Sequence, residues 1–227
     1  MRLGGLQKFS LIDYPGKVAC VIFTQGCNFR CRYCHNPELV VPEQFYPEIA
    51  EEEVLKFFKS RQQYLEGVVV SGGEPTIQQD LIIFLDKIKQ FGFLIKLDTN
   101  GSHPTRLKLL LHLKLIDYIA MDVKAPLERY EEVIDAPVDG EAIKESINLI
   151  LHSRIPHELR TTVVKSFCSG DDLDKVHRLV GETKQYHLQK ARLDDKILDQ
   201  GLLTQEQFSE DEFNELKQRF EYDKVCY

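Results

Sequence analysis

Six short apolar segments alternate with amphipathic segments along this chain, and the alternation restricts its fold more than any other feature of the sequence. Most of the apolar segments are rich in Val and Ile and end at Gly, Pro or polar residues, as strands buried on both faces of a parallel sheet do. They comprise residues 18–24, 67–71, 93–98, 118–123, 159–164 and 186–191. The segments between and after them repeat apolar residues at helical spacing. These comprise residues 51–65, 79–91, 104–115, 140–152, 171–184 and 209–220. The alternation predicts an α/β fold with a parallel sheet.

The length of 227 residues selects among α/β folds. A closed barrel of eight strand–helix units takes about 250 residues, at about 30 per unit. We therefore predict an incomplete (β/α)6 barrel, which is a partial TIM barrel with parallel strands, and keep an open doubly wound sheet as the alternative. The sequence has no internal repeat or linker. We expect a single domain over residues 1–227, with a leader segment at 1–17, the partial barrel at 18–192, and a C-terminal helix and tail at 193–227.

Charge and hydropathy exclude several classes of partner. Lys and Arg total 29 and Asp and Glu total 36, which gives a formal net charge of −7. A chain this acidic is not expected to bind nucleic acid by attraction to phosphate. It has no run of eighteen apolar residues, so we expect no membrane partner. The first residues lack the apolar core of a secretory signal, so we expect a cytoplasmic protein.

Glycines and polar residues follow most of the predicted strands. Residues 25–34 follow the first strand, residues 72–75 follow the second, and residues 98–101 and 122–124 end the third and fourth. In parallel α/β folds the chemistry lies at the carboxyl ends of the strands. The sequence therefore predicts one functional site at this edge of the sheet.

Three of the six cysteines lie within eight residues, as Cys27, Cys31 and Cys34. In a reducing compartment such a group indicates metal binding or catalysis rather than disulfides. Three thiolates can bind three irons of a [4Fe–4S] cluster and leave the fourth iron open. A zinc site with His35 as fourth ligand is the first alternative, although adjacent residues rarely reach one tetrahedral ion together. Three unrelated thiols are the second alternative.

The cysteine spacing, with Tyr33 directly before the last cysteine, resembles the motif of the radical S-adenosylmethionine (radical SAM) enzymes. Longer strings at residues 9–17 (FSLIDYPGK), 23–31 (FTQGCNFRC) and 34–39 (CHNPEL) resemble a narrower group, the activating enzymes of glycyl radical enzymes. Within that group the strings are most similar to the activating proteins of anaerobic ribonucleoside-triphosphate reductase, which in turn are similar to pyruvate formate-lyase activating enzymes. The resemblance covers about residues 8–190.

The resemblance implies a reaction. The open iron binds the amino and carboxylate groups of S-adenosylmethionine, and the reduced cluster donates one electron to the sulfonium. The C–S bond breaks and yields methionine and a 5′-deoxyadenosyl radical, which removes a hydrogen atom from a backbone glycine of a partner enzyme. The cofactor supplies this chemistry and the protein supplies orientation. The resemblance favours anaerobic ribonucleotide reductase as the partner and a flavodoxin- or ferredoxin-type protein as the electron donor.

Three alternatives to this function stay open. The chain could activate another glycyl radical enzyme of the pyruvate formate-lyase type, or it could act on a small molecule. The most distant alternative is a non-catalytic iron–sulfur or zinc module. A fully ligated metal that leaves S-adenosylmethionine intact would indicate the last of these.

The resemblance also assigns roles to residues at the strand ends. It implies that the motif of Gly72, Gly73 and Glu74 binds the methionine amino group, although a plain turn is the alternative. The segment Asp98, Thr99 and Asn100 and the pair Asp122 and Lys124 would lie near the cofactor, with a monovalent cation at Asp98 and Asp122. Two carboxylates at neighbouring strand ends repel unless a cation or Lys124 lies between them. The alternative is an ion-pair network without a metal.

Three further side chains are implied to contact S-adenosylmethionine. Arg160 would bind its carboxylate, for which a guanidinium is suited, and Tyr33 would lie against the adenine. His187 would lie near the cofactor, with a structural histidine as the alternative. The remaining cysteines, Cys20, Cys168 and Cys226, are too few and too far apart for a second cluster. We expect Cys20 to pack as a small apolar residue.

Overall fold

The sheet is the scaffold of the fold. In this computed structural model, residues 1–181 and 183–221 are described, and Cys226 lies outside them. The seven strands of the sheet follow one another in chain order. They are β1 (Leu3–Ser10), β2 (Ala19–Thr24), β3 (Gly67–Gly72), β4 (Leu94–Thr99), β5 (Tyr118–Asp122), β6 (His157–Val163) and β7 (Tyr186–Lys190). Strands β2 to β7 are parallel. An order without reversal is that of a barrel and not of a doubly wound sheet. The predicted partial barrel is confirmed.

Helices follow the parallel strands, and all except α8 connect one strand to the next. They are α1 (Pro37–Val40), α2 (Glu51–Arg61), α3 (Leu81–Gln90), α4 (Pro104–His112), α5 (Tyr130–Ile134), α6 (Gly140–His152), α7 (Gly170–Val180) and α8 (Glu210–Phe220). Short 3-10 turns occupy Pro42–Gln44, Pro75–Ile77, Leu127–Arg129 and Gln200–Thr204. Both α7 and α8 begin with a capping box, formed by Ser169 with Asp172 and by Ser209 with Glu212. These caps satisfy amide groups that have no partner within the helix. Among the residues described, no helix is long and apolar enough to cross a membrane.

Strand β1 is a finding that the sequence analysis did not predict, because residues 1–17 were expected to be a leader. It pairs antiparallel with β2 and forms one edge of the sheet. The chain after β1 turns under the sheet, where Tyr14 is buried and its ring contacts that of Tyr118 at 5.8 Å between centroids. Lys96 Nζ donates a hydrogen bond to the Asp13 carbonyl at 2.6 Å. This segment closes the amino-terminal end of the barrel.

The two faces of the sheet differ in composition. The outer face packs against the helices through apolar side chains such as Val70, Leu97 and Met121, which belong to the main core. The inner face carries a small apolar cluster at its amino-terminal end, formed by Tyr14, Ala19, Val21 and Val69. Strand register aligns Asp122 with Arg160, and side chains aligned in this way lie on the same face. The inner face therefore carries charged side chains towards the carboxyl ends of the strands.

Candidate active site

A cavity of about 390 Å³ opens at the carboxyl ends of the strands, where the sequence predicted the site. Twelve of the predicted site residues line it. They are Cys27, Cys31, Tyr33, Cys34, Gly72, Gly73, Asp98, Thr99, Asn100, Asp122, Lys124 and Arg160. Glu74 and His187 are not part of its lining. The predicted residues therefore converge, with two exceptions.

Buried aromatic packing and backbone hydrogen bonds hold the cysteine loop, which comprises residues 25–36. Phe29 is 1% exposed and its ring lies edge-on to Tyr130 of α5, at 6.2 Å between centroids. The Arg30 amide donates to the Ile134 carbonyl at 2.7 Å. The Arg30 guanidinium donates to the Cys27 carbonyl at 2.8 Å, within the loop itself. Helix α5 thus supports the middle of the loop, and sequence analysis did not predict this helix because it is only five residues long.

The three cysteines of the loop are free thiols in a desolvated setting. Burial raises the pKa of Cys27 to about 12 and that of Cys31 to about 11, and it also raises the pKa of Cys34. In this state the thiols are protonated at neutral pH. A metal centre that contributes positive charge would reverse this preference, because thiolates are the form that ligates metals.

The donor set fits a cluster better than a single ion. No group of three or more Cys, His, Asp or Glu side chains within residues 1–181 and 183–221 is arranged to hold one metal ion. A [4Fe–4S] cluster distributes three thiolates over three separate irons, so its ligands need not converge on one point. His35, the fourth ligand in the zinc alternative, has its Nε2 atom 2.9 Å from Asp194 Oδ1. The arrangement favours the cluster over zinc.

The glycine motif packs directly against the start of the cysteine loop. A Cβ atom on Gly72, whose φ is +112°, would lie 2.3 Å from the Thr24 amide nitrogen, and one on Gly73 would lie 2.0 Å from the Gly26 carbonyl oxygen. With no side chain in the way, the Gly73 amide donates to the Thr24 carbonyl at 2.9 Å. The Glu74 amide likewise donates to the Gly26 carbonyl at 2.8 Å. Glycine is needed here because the two backbones approach so closely.

Glu74 lies behind the cavity wall and is fully buried. Its carboxylate accepts hydrogen bonds from the Thr76 amide at 3.0 Å, the Thr99 hydroxyl at 2.8 Å and the Asn100 amide at 2.6 Å. Such bonds satisfy a buried carboxylate, which would otherwise be costly. Glu74 therefore joins the loop after β3 to the loop after β4.

Asn100 connects the loop after β4 to the first cysteine. Its Nδ2 atom lies 3.0 Å from Asn28 Oδ1 and 3.9 Å from Cys27 Sγ. Asn28 in turn donates to the Ser102 hydroxyl at 2.9 Å. Asn100 was predicted to belong to the site, whereas Asn28 and Ser102 were not, because nothing in the motif singles out their amide and hydroxyl groups.

A network of ion pairs on the inner face includes four residues of the cavity wall and extends beyond them to Lys96 and Glu158. Arg160 Nε lies 2.9 Å from Asp122 Oδ1, and Lys124 Nζ lies 2.9 Å from Asp122 Oδ2. Arg160 Nη2 lies 3.9 Å from Asp98 Oδ2. The buried ammonium of Lys96 lies 3.3 Å from both Asp98 Oδ1 and Glu158 Oε1. Three cations thus face three carboxylates. Lys96 and Glu158 were not predicted, although Lys96 lies two residues before Asp98 and so shares its face.

The two aspartates of this network have opposite pKa shifts. Burial alone would raise the pKa of Asp122, but Arg160 and Lys124 outweigh it and hold the pKa well below its usual range. For Asp98 burial prevails over Arg160 and Lys96, and the pKa is raised. Asp122 is therefore a stable anion, whereas ionisation of Asp98 is disfavoured.

His187 lies on β7, in register with Arg160 of β6. Its neighbour two residues along, Gln189, lines the cavity, as do Thr162, Lys190 and Arg192. These four could not be predicted, because no motif marks Thr162 on β6, and Gln189, Lys190 and Arg192 belong to or follow β7, the weakest predicted strand.

Comparison with known proteins identifies the family. A family model described as the Radical SAM superfamily matches residues 21–180. The chain therefore belongs to this superfamily and is a radical SAM enzyme. Membership implies a [4Fe–4S] cluster and S-adenosylmethionine as cofactors, which agrees with the donor set of the cysteine loop.

Proteins similar in sequence to this chain include activating enzymes. A Methanocaldococcus jannaschii protein, provisionally named a glycyl-radical enzyme activating enzyme, is 35% identical over 83% of this chain and 79% of its own length. The pyruvate formate-lyase-activating enzyme of Clostridium pasteurianum is 33% identical over 54% of this chain and 52% of its own length.

Solved structures share the fold. TYW1 with a lysine-pyruvate adduct bound matches 89% of this chain and 72% of its own, with a TM-score of 0.62 at 16% identity. Streptococcus suis SuiB bound to S-adenosylmethionine matches 88% of this chain and 45% of its own, with a TM-score of 0.67 at 14% identity. At these identities the likeness concerns the fold alone.

Proposed function

We propose that this radical SAM enzyme cleaves S-adenosylmethionine reductively and generates a glycyl radical on a partner enzyme, with anaerobic ribonucleoside-triphosphate reductase as the first candidate. The observation that carries the proposal is the convergence of three free thiols and the glycine motif on one cavity. Similarity to a protein named for glycyl-radical enzyme activation supports the choice of substrate class. The sequence strings at residues 9–17 and 34–39 support the reductase.

The chain would hold its cofactors with separate groups of residues. Cys27, Cys31 and Cys34 would ligate the cluster. When bound, the cluster and S-adenosylmethionine supply a 5′-deoxyadenosyl radical that removes a hydrogen atom from a backbone glycine of the partner. The backbone carbonyls of Gly72 and Gly73, which line the cavity, would accept hydrogen bonds from the methionine amino group.

The ion-pair network would receive the carboxylate of S-adenosylmethionine. Arg160 and Lys124 both line the cavity and both bind Asp122, so their positions are fixed before a ligand arrives. A preorganised guanidinium binds a carboxylate with little loss of side-chain entropy. Thr99 and Asn100 would complete this wall of the site.

Three further assignments stay predictions. Tyr33 would lie against the adenine, and its ring already contacts Lys124 at 5.9 Å from the ammonium to the ring centroid. A monovalent cation at Asp98 and Asp122 would share those carboxylates with Arg160. His187 would lie near the cofactor, on the inner face beside Arg160, with which it is in register.

The setting of the reaction follows from the thiols. The described cysteines are free, which is typical of a reducing compartment and supports a cytoplasmic location. The family resemblance supports a flavodoxin- or ferredoxin-type electron donor. We infer that residues 1–227 work as a single radical SAM domain.

A glycyl radical enzyme of the pyruvate formate-lyase type is the second candidate partner. The observation that favours it is the similarity to activating enzymes of that name from Clostridium pasteurianum and from Listeria species. The reaction on this chain's side would be the same, so the two candidates differ only in the protein that docks at the cavity.

The experiment that tests the proposal uses the full chain, reconstituted anaerobically with iron and sulfide and reduced with dithionite. S-adenosylmethionine and one candidate partner are added, and 5′-deoxyadenosine and the electron paramagnetic resonance signal of a glycyl radical are measured. We expect both products with the correct partner. The matched variants are Cys31→Ala, which removes a proposed ligand, and Cys168→Ala, which removes a cysteine outside the loop.

Two results would contradict parts of the proposal separately. If Cys31→Ala cleaves S-adenosylmethionine as well as Cys168→Ala does, the cluster is not held by this loop. If the wild type forms 5′-deoxyadenosine but neither partner acquires a glycyl radical, the substrate class is wrong although the radical chemistry stands.

A further inference from the structure

The cysteine loop is supported at three places, and the third support comes from far along the chain. The glycine motif holds the beginning of the loop near Cys27, and α5 holds its middle. The last limb, Arg32 to His35, contacts residues 194–199. This segment lies beyond residues 21–180, the part that the family model matches.

Backbone and side-chain contacts join the two segments. The Leu198 amide donates to the Cys34 carbonyl at 2.9 Å, and the Asp199 amide donates to the Arg32 carbonyl at 2.9 Å. Arg32 Nε donates to Asp199 Oδ2 at 2.7 Å, so the pair is joined through both backbone and side chain. Cys34 is therefore fixed on both sides, by its own carbonyl and through Arg32.

The segment is itself anchored in the fold. Ile197 is 2% exposed and Leu202 is fully buried. Asp199 Oδ1 accepts from the Gly201 amide at 2.9 Å and so caps the turn at Gln200–Thr204, while Oδ2 remains for Arg32. A support of this kind holds the limb in position because its other end is packed in the core.

The segment also borders the cavity. Asp194 pairs with His35 of the loop at 2.9 Å and with Arg192 at 3.0 Å, and both partners line the cavity. Arg32 lies over the Phe167 ring at 4.9 Å from its centroid. The ion pairs of Asp194 and Asp199 thus lie beside the limb that carries Cys34.

We infer that residues 194–199 are a positioning segment for the third cysteine ligand, and that Asp199 acts through Arg32 to hold Cys34 where the cluster needs it. The inference rests on the proposed cluster at Cys27, Cys31 and Cys34. Ligands on a preorganised scaffold retain a metal better than ligands that must be ordered on binding.

The test compares Asp199→Asn and Arg32→Gln with a matched control, Glu206→Gln. Asp199→Asn keeps an oxygen that can cap the turn at Gln200–Thr204 and removes only the charge. Glu206 lies in the same C-terminal region and pairs with Lys165 instead of the loop, so its substitution removes one charge without touching Arg32. Each protein is reconstituted, and the anaerobic release of iron to a chelator is timed while iodoacetamide labels emerging thiols.

Peptide mapping at low conversion then gives the labelling rate of each cysteine, and Cys27 is the internal reference. We expect iron release and the ratio of Cys34 to Cys27 labelling to rise about fivefold in Asp199→Asn and in Arg32→Gln, which is the factor that about 1 kcal/mol gives for a partly exposed ion pair. The double variant should resemble either single variant, because each removes the same pair. Glu206→Gln should match the wild type.

The inference is overturned if Asp199→Asn and Glu206→Gln behave alike, or if labelling of Cys27 and labelling of Cys34 rise by the same factor. Labelling of the iron-free full chain separates this inference from the proposed function, since the contacts do not require bound iron. If the wild type retains no cluster but the ratio still rises in Asp199→Asn, the cluster assignment fails and the positioning of Cys34 stands.

Discussion

The outer and inner faces of the sheet are built from alternating residues of the same strands, yet the outer face stabilises the fold and the inner face shapes the site. In β4, Leu97 is fully buried in the outer core, while its neighbour Asp98 points to the inner face and pairs with Lys96. In β5, Met121 and Asp122 repeat the pattern. Because side chains of a strand alternate between faces, one residue step separates a group that stabilises the fold from one that shapes the site.

This difference means that stability and chemistry can be perturbed separately within one strand. Burial of apolar area is the main favourable term of folding, and most of it lies on the outer face. The inner face instead holds three cations and three carboxylates in a buried network, which is weak evidence for stability because desolvation offsets the attraction. Substitutions at adjacent positions of one strand should therefore differ in how they change the free energy of unfolding, its pH dependence and the binding of S-adenosylmethionine.

The largest expected effect is on the outer face. We expect Leu97→Ala to lower the free energy of unfolding by about 3 kcal/mol, because it leaves a cavity in a fully buried position. Urea denaturation measures the loss, and the affinity of the folded protein for S-adenosylmethionine should stay unchanged. Leu109 is exposed, and Leu109→Ala is the control. If it lowers the free energy of unfolding as much as Leu97→Ala does, burial on the outer face is not the cause.

The second largest effect is expected from Asp122→Asn, which removes the most stable anion of the inner-face ion-pair network. We expect Asp122→Asn to lower the free energy of unfolding at pH 7 by about 2 kcal/mol, because Arg160 and Lys124 lose a shared buried partner. A carboxyl group whose pKa is depressed stabilises the fold above its ordinary pKa of about 3.9, and that contribution is lost as the pH falls. The difference in free energy of unfolding between Asp122→Asn and the wild type should therefore become smaller below about pH 4. A difference that stays constant with pH would contradict the ion-pair explanation.

How far the sequence predicts this molecule depends on the range of the interactions. The six parallel strands follow from local apolar runs, and twelve of the cavity residues follow from motifs and resemblance near the strand ends, so these could be predicted. Strand β1 could not, since Gly4, Gly5, Gln7 and Lys8 mask its pattern and its pairing with β2 is a tertiary contact. Glu74 was expected at the ligand, but its carboxylate instead joins two loops, which no spacing rule reveals.

The same limit applies to the rest of the site. Lys96 and Glu158 lie 62 positions apart in the sequence and meet only because the strand register brings them to one face. Arg32 and Asp199 are 167 residues apart. Contacts of this kind depend on how the crossovers place each strand, and this information is not carried by any local motif.

A smaller effect concerns binding rather than folding. We expect Arg160→Lys to weaken binding of S-adenosylmethionine about tenfold, because an ammonium keeps the charge but loses the two-pronged geometry of a guanidinium. Isothermal titration of the reconstituted protein measures the affinity. Arg219→Lys is the control, since Arg219 pairs with Asp174 at an exposed position. Equal affinities in the two variants would exclude Arg160 from the binding site.

The smallest effect should have the opposite sign to that of Asp122→Asn. Burial raises the pKa of Asp98 despite Arg160 and Lys96, so the folded chain binds this proton more tightly than the unfolded chain does. Such a group contributes most below its ordinary pKa of about 3.9, and the contribution is lost as the pH rises through the folded value. Asp98→Asn stays neutral throughout and should be slightly more stable than the wild type at pH 7. Below about pH 4 this gain should disappear. Urea denaturation across this pH range decides the matter: a variant less stable than the wild type at pH 7 would mean that Lys96 and Arg160 stabilise the Asp98 anion more than burial destabilises it.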